Sequence, residues 1–164
     1  MSHLLSRISQ RRHAAGSKKI VMVGDQIANM IIMMKNAGLA GRPSISLPHS
    51  KLKNAILECL KKEGYVKKVS TKGAALAGGQ GFTSGGKKGQ PMLEVELVYV
   101  NKRPKITEAE RISKQSRRVY FGVKDIHKVR NGTGLLVLST PKGILSGRDA
   151  RKEQVGGEAL FRLW

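Results

Sequence analysis

The sequence predicts an α/β (α+β) chain, and three observations carry that reading. Two stretches in the first half repeat apolar residues at helical spacing, strand-like alternation follows each of them, and the last third is cut into short apolar runs by Gly, Pro, Ser and Thr. The expected layout is a basic N-terminal extension over residues 1–24 and an N-terminal α/β domain over 25–113, in which two helices lie on a small β-sheet. A C-terminal mostly-β domain with a short helix spans 114–164, and a glycine-rich loop at 73–90 interrupts the first domain.

The first helix follows from Ile27, Met30, Ile31 and Met34, with Asp25 placed to cap its start and Gly38 to end it; its methionines are most simply core. Ser44 to Leu47 reads as a short strand. A second helix opens at Ser50 and closes at Gly64, with Leu52, Ala55, Ile56, Cys59 and Leu60 on its apolar face and Lys51, Lys53, Lys61 and Lys62 outside. Tyr65 to Ser70 is a strand. Leu93 to Val100 is another, alternating Leu93, Val95, Leu97 and either Tyr99 or Val100 against Glu94 and Glu96. Ile106 to Ser113 forms a further strand or a connection. The adjacent Arg117 and Arg118 cannot both point inward on a strand, so at least one faces outward, while Tyr120 is read as core. Leu135 to Leu138 is a strand stopped by the turn Ser139-Thr140-Pro141-Lys142-Gly143, Asp149 is a helix-start acid, and Gly156-Gly157-Glu158 is a turn before the last apolar run. Glycine there would let the backbone approach a partner closely.

Charge narrows the function. Thirty-one Lys and Arg against eleven Asp and Glu give +20 in 164 residues, an excess that self-repels unless a polyanion neutralises it. Nucleic acid is the first choice, ahead of an anionic membrane surface or a merely solvated basic face; no run of eighteen apolar residues exists to span a bilayer. Aromatic residues make up only 4%, which favours shape, sugar and phosphate contacts to folded RNA over stacking of splayed bases. Cys59 is the only cysteine, so no internal disulfide or cysteine-based zinc site is expected, and a reducing compartment is the natural inference. His3, His13, His49 and His127 show no metal-ligand spacing, and no nucleophile motif is present. An enzyme, a cofactor, a metal and a small-molecule substrate are therefore not expected. Gly81, Gly86 and Lys87 have P-loop spacing, but Lys88 stands where Ser or Thr would hold magnesium, and Pro91 blocks the helix that would bind phosphate. Residues 1–24 hold Arg7, Arg11, Arg12, Lys18 and Lys19 and no acid. A targeting peptide, a disordered tail and an RNA-contacting arm all fit them, the last being favoured.

The chain from Gly134 carries the pattern Gly-x-x-apolar-apolar-Ser-Thr-x-x-Gly-apolar-apolar, then Ala150-Arg151 and Val155-Gly156-Gly157-Glu158. Together with Arg117-Arg118-Val119-Tyr120, Ser50-Lys51-Leu52-Lys53, Glu63-Gly64-Tyr65-Val66 and Asp25 to Met30, this closely resembles the small-subunit ribosomal protein S8 family of bacterial type, over roughly Asp25 to Trp164 less one loop. The resemblance implies a structural constituent of the small ribosomal subunit, a primary 16S-type rRNA binder that contacts the central domain and helps assemble the platform beside neighbouring ribosomal proteins. The particle would lie in a bacterial cytoplasm or, alternatively, in a mitochondrion or other organelle. The alternative function is a translational repressor that binds its own operon mRNA through the same surface. Position-specific recognition is expected from Ser139, Thr140, Gly156, Gly157 and Glu158, where Glu158 either accepts from a base amino group or 2′-OH or braces the serine loop. Lys142, Gly143, Lys114, Arg117 and Arg118 would flank them, with further RNA contacts at Ser50, Lys51, Lys53, Lys35 and Asn36. Met33 stands where the family usually has a basic residue, and Pro141 where it often has Ser. Thr140→Ala or Glu158→Ala is expected to cost about 1 to 3 kcal/mol of specific affinity, and Lys142 or Arg117 replacement to flatten the salt dependence.

Overall fold

Asp25 starts the first helix as its position suggests: its carboxylate accepts hydrogen bonds from the backbone N–H of Ile27 and Ala28 at 2.9 and 3.2 Å. The computed structural model describes residues 24–72 and 91–164, so the basic extension up to residue 23 and the glycine-rich loop at 73–90 lie outside the described residues. Helix α1 (Gln26–Leu39) buries Ile27, Met30, Ile31 and Met34. Gly38 does not end it. It is buried inside the helix, where a Cβ would meet the Pro104 ring at 2.9 Å, and the left-handed residue that turns the chain is Gly41, φ 68°. Gly41 N–H bonds to Gly38 O and Arg42 N–H to Ala37 O, the double closure that satisfies a helix's last carbonyls.

After β1 (Ser44–Pro48), helix α2 (Lys51–Lys62) is rotated from its expected phase. Its buried stripe is Lys53, Ile56, Leu57, Cys59 and Leu60, so Ile56, Cys59 and Leu60 are core as expected, while Leu52 is 43% exposed. Lys53, expected outside and facing RNA, is only 7% exposed and lays its aliphatic stem along the core to reach Pro48 O at 3.4 Å. A hydropathy pattern that scores lysine as polar throughout misses this. Gly64, φ 73°, ends the helix as expected.

Strands β2 (Val66–Lys72) and β3 (Met92–Leu97) join β1 in an antiparallel sheet of order β1-β3-β2, in which Val95 sits between Ile45 and Val69. The long strand expected to reach Val100 breaks at Val98. Its end, β4 (Tyr99–Val100), pairs instead with β5 (Arg103–Pro104) through Asn101 and Lys102, both left-handed with φ 50° and 62°. The Tyr99 hydroxyl donates to Arg42 O at 2.7 Å, locking this hairpin against the end of α1.

The second sheet contains β6 (Ala109–Arg111), β7 (Tyr120–Phe121), β8 (Leu135–Thr140), β9 (Gly143–Ser146) and β10 (Gly157–Leu163), in the order β6-β10-β8-β9 with β7 also on β10. Helix α3 (Gly147–Lys152) connects the last two. β6 precedes the expected boundary at 113/114 yet pairs with the final strand, Arg111 opposite Phe161. One face of this sheet, with Val137, Phe161 and Leu163, shares a continuous core with Ile27, Ile56 and Leu93. The other face, with Leu136, Leu138 and Ala159, covers a smaller core completed by Ile126 and Ala150. The class is mixed α/β as expected. Gly156-Gly157-Glu158 is not a turn, because Gly157 is already the first residue of the central strand β10.

Candidate nucleic-acid interface

Register on β10 builds the site. Glu158 lies opposite Tyr120 on β7 and opposite Ser139 on β8. Directly paired residues share a sheet face, so Tyr120, Glu158 and Ser139 form a row across the end of the sheet. Tyr120 is 70% exposed, not core; alternation sends Phe121 into the smaller core instead. The signal that could have found it is Arg118, two residues earlier and therefore on the same side of an extended segment.

Glu158 is held from both sides. Its Oε1 accepts from Arg118 Nη1 at 2.7 Å and from the hydroxyl of Ser113, a fully buried residue that also accepts from Val119 N–H at 3.4 Å. Of the two roles left open for this carboxylate, bracing of the serine loop is not what the structure shows: the elements it holds are Ser113 and Arg118. Its other oxygen, Oε2, has no donor among the described residues. Burial pushes the Glu158 carboxyl up, but the hydrogen bonds of Ser113 and Arg118 and the guanidinium charge outweigh it, so the group is held below its ordinary value of 4.5. Ser113 escaped sequence reasoning because its partner lies 45 residues away and no local spacing announces it.

The turn residues behave differently from expectation. Thr140 is only 9% exposed; its hydroxyl donates to Gly143 O at 2.9 Å and accepts from Lys142 N–H at 3.2 Å, so it closes the β8–β9 turn. Ser139, half-buried, makes no side-chain hydrogen bond among the described residues and is the hydroxyl left free. Gly143 takes φ 113° with open space around it. Gly156 and Gly157 do permit close approach, but of this chain to itself: a Cβ on Gly156 would collide with the Phe121 carbonyl and one on Gly157 with the Ser139 carbonyl.

Cations frame the row. Lys114 and Arg117 are exposed and close a tight turn through two backbone bonds, Lys114 N–H to Arg117 O at 2.9 Å and Arg117 N–H to Lys114 O at 3.1 Å. Lys142, also exposed, lies 3.2 Å from Glu153. The other candidates lie apart from the row. Lys35 pairs with Glu108 at 2.8 Å, Asn36 is exposed on α1, and Lys51 is exposed at the start of α2. Ser50 occupies the α2 cap position without its hydroxyl bonding to the helix.

No group of three or more His, Cys, Asp or Glu able to hold a metal exists among the described residues, and none of their helices is long and apolar enough to cross a membrane. Burial, with Glu63 and Asp149 nearby, pushes the Cys59 thiol up to about 11, leaving it protonated and unreactive at neutral pH.

Acid should loosen the site. Glu158, Asp25 and Asp149 are all held below their ordinary values, so their contribution is complete above those values, 4.5 for Glu158 and 3.8 for the aspartates, and is lost as pH falls through the depressed folded-state values. Thermal melts from pH 7 to 2 should show a plateau down to about pH 4.5 and a progressive fall below it. In Glu158→Gln the upper part of that fall should shrink.

Fold and site define a class: a small, strongly basic α/β protein presenting a hydroxyl- and carboxylate-bearing sheet end framed by Lys and Arg. The chain belongs to the ribosomal protein S8 family, whose model, described as Ribosomal protein S8, matches residues 25–164. It is 40% identical over 141 residues to the small ribosomal subunit protein uS8 of Nitrobacter winogradskyi, covering 85% of this chain and 97% of that one. The uS8 proteins of Nitratidesulfovibrio vulgaris and Ruegeria pomeroyi are 39% and 41% identical, each match covering 87% of this chain and 100% of the relative.

Proposed function

We propose that this chain is a structural constituent of the small ribosomal subunit, not an enzyme, and that it binds rRNA of the central domain directly and helps assemble the platform beside neighbouring ribosomal proteins. The observation that carries this reading is the row Tyr120–Glu158–Ser139, pre-set by Ser113 and Arg118 inside a frame of exposed Lys114, Arg117 and Lys142. The Ser139 hydroxyl can donate and accept, Glu158 Oε2 can accept from a base amino group or a 2′-OH, and the Tyr120 ring offers one stacking surface in an otherwise aromatic-poor chain. The cations supply phosphate neutralisation, which is salt-sensitive and blind to sequence. Bacterial relatives support a bacterial-type particle. Messenger RNA from the chain's own transcript would have to use this same row and so compete with rRNA for it.

Titration of the full chain with a central-domain rRNA fragment at two salt concentrations tests the reading. Ser139→Ala and Tyr120→Ala should each weaken binding by about 1 to 3 kcal/mol with the salt slope unchanged, whereas Arg117→Ala should lower that slope by about 1. Thr140→Ala should act through stability instead. Random duplex DNA binding as tightly as the rRNA fragment at equal salt would defeat the proposal.

A further inference from the structure

The opposite face of the second sheet carries a groove that the proposed RNA site does not use. The segment between β7 and β8 runs over this face, and a cleft opens on each side of it, one of about 300 Å³ toward α3 and one of about 340 Å³ toward the end of β10. His127, Lys128, Val129 and Leu136 line both clefts, so the two adjoin as halves of a groove that this segment divides. Its floor is hydrocarbon: Ile126, Val129, Leu136, Ile112 and Phe121. Its rim carries Lys128, Arg130, Arg148, Arg151 and Arg162, of which Arg148 and Arg162 already pair with Glu63 and Glu110, and Asp125 is the one acid lining it among the described residues. Arg130 and Asn131 hold left-handed backbones, φ 44° and 55°, a cost that places the Arg130 guanidinium over the Trp164 ring at 4.6 Å. No carboxylate of the described residues lies within ion-pair distance of Lys128 or Arg130.

We propose that this groove docks an acidic polypeptide segment with aliphatic or aromatic anchors, a protein neighbour and not RNA. Charge complementarity fixes the sign of the partner, and the apolar floor fixes its class. Among the described residues no Ser, Thr, Asn or Gln lines the groove, and two of its carbonyls are already engaged, Gly132 O by Arg148 and Ile126 O by Arg151, each at 2.6 Å. A ribose-phosphate backbone would lay polar groups on hydrocarbon, whereas carboxylates on the rim and apolar side chains on the floor match both surfaces. Because Phe121 and Leu136 face away from the Tyr120–Glu158–Ser139 row, both faces can be occupied together.

Trp164 is the only tryptophan, so its emission reports this groove. The full chain is titrated with a synthetic peptide alternating Glu with Leu and Phe, with the same peptide carrying Ser for Leu and Phe, and with a single-stranded RNA of equal charge. The apolar acidic peptide should shift Trp164 emission saturably, the Ser version should bind at least tenfold more weakly, and Arg130→Glu should abolish the shift. Lys128→Glu, at an ordinary backbone position with φ −68°, gives the same reading without a strained residue. Ser139→Ala should leave peptide binding unchanged while weakening rRNA binding. Equal binding of both peptides, or an emission shift by RNA that Lys128→Glu removes, would overturn the proposal.

Discussion

Gly157→Ala should lower stability by about 3 kcal/mol, a fall in Tm of roughly 10 °C for a chain of this size. The added Cβ would overlap the Ser139 carbonyl oxygen and come within 2.9 Å of its carbon and 3.0 Å of Thr140 Cα. All three are backbone atoms of β8, the strand between β10 and β9, so no flexible side chain can yield. Relief requires β8 and β10 to part at the pair Glu158–Ser139, which separates the free hydroxyl from the braced carboxylate. Specific rRNA affinity should therefore fall beyond the loss explained by unfolding. Gly143→Ala supplies the comparison: its neighbourhood is open and only its φ of 113° is unfavourable, so about 1 kcal/mol is expected. Circular-dichroism melts of both variants give the answer. A Gly157→Ala Tm within about 2 °C of the parent would mean that the two strands do not approach as closely as described.

The glycine pair also shows what a sequence can and cannot disclose. Close backbone approach was legible in Gly156-Gly157, but the approaching backbone belongs to Phe121 and Ser139, and contacts across 18 or more residues leave no local trace. Helices were legible because their causes are local: the Asp25 cap, the stripe from Ile27 to Met34, the left-handed Gly64. The phase of α2 was not, since Lys53 is long enough to bury its stem and keep its ammonium on a carbonyl. Strands of two or three residues, β4 to β7, are too short to show alternation, and their existence depends on partners distant in sequence. In the site, family resemblance directed attention to Ser139, Thr140 and Glu158. Only three-dimensional register separated the free hydroxyl from the one consumed by its turn and added Tyr120 and Ser113.

Asp25→Ala should cost about 3 kcal/mol, because one carboxylate does two jobs. One oxygen caps α1, accepting from Ile27 and Ala28, and the other holds the Nε of Arg111, whose side chain is only 10% exposed and which also donates to Leu160 O. Alanine removes the cap and leaves a largely buried guanidinium without its counter-charge. Asp25→Asn separates the two: an amide oxygen can still cap, but the ion pair is lost, so about half the cost should remain. Arg111→Leu should cost less in the Asp25→Ala background than alone, with a coupling of about 1 to 2 kcal/mol. Burial pushes the Asp25 carboxyl up, but the Arg111 hydrogen bond, the backbone donors and the guanidinium charge bring it below 3.8. The advantage of the parent over Asp25→Asn should thus hold above about pH 4 and vanish as the pH falls through the depressed value. The pair also bears on the proposed RNA site: Arg111 on β6 stands two residues before Ser113, so the contact that starts α1 also fixes the strand that delivers the hydroxyl to Glu158. Asp25→Asn should accordingly weaken rRNA binding modestly at neutral pH, whereas Lys35→Ala, which removes an exposed pair on the same helix, should leave stability within about 0.5 kcal/mol of the parent. Matching losses in the two variants would show that the Asp25–Arg111 contact is no stronger than an ordinary surface pair.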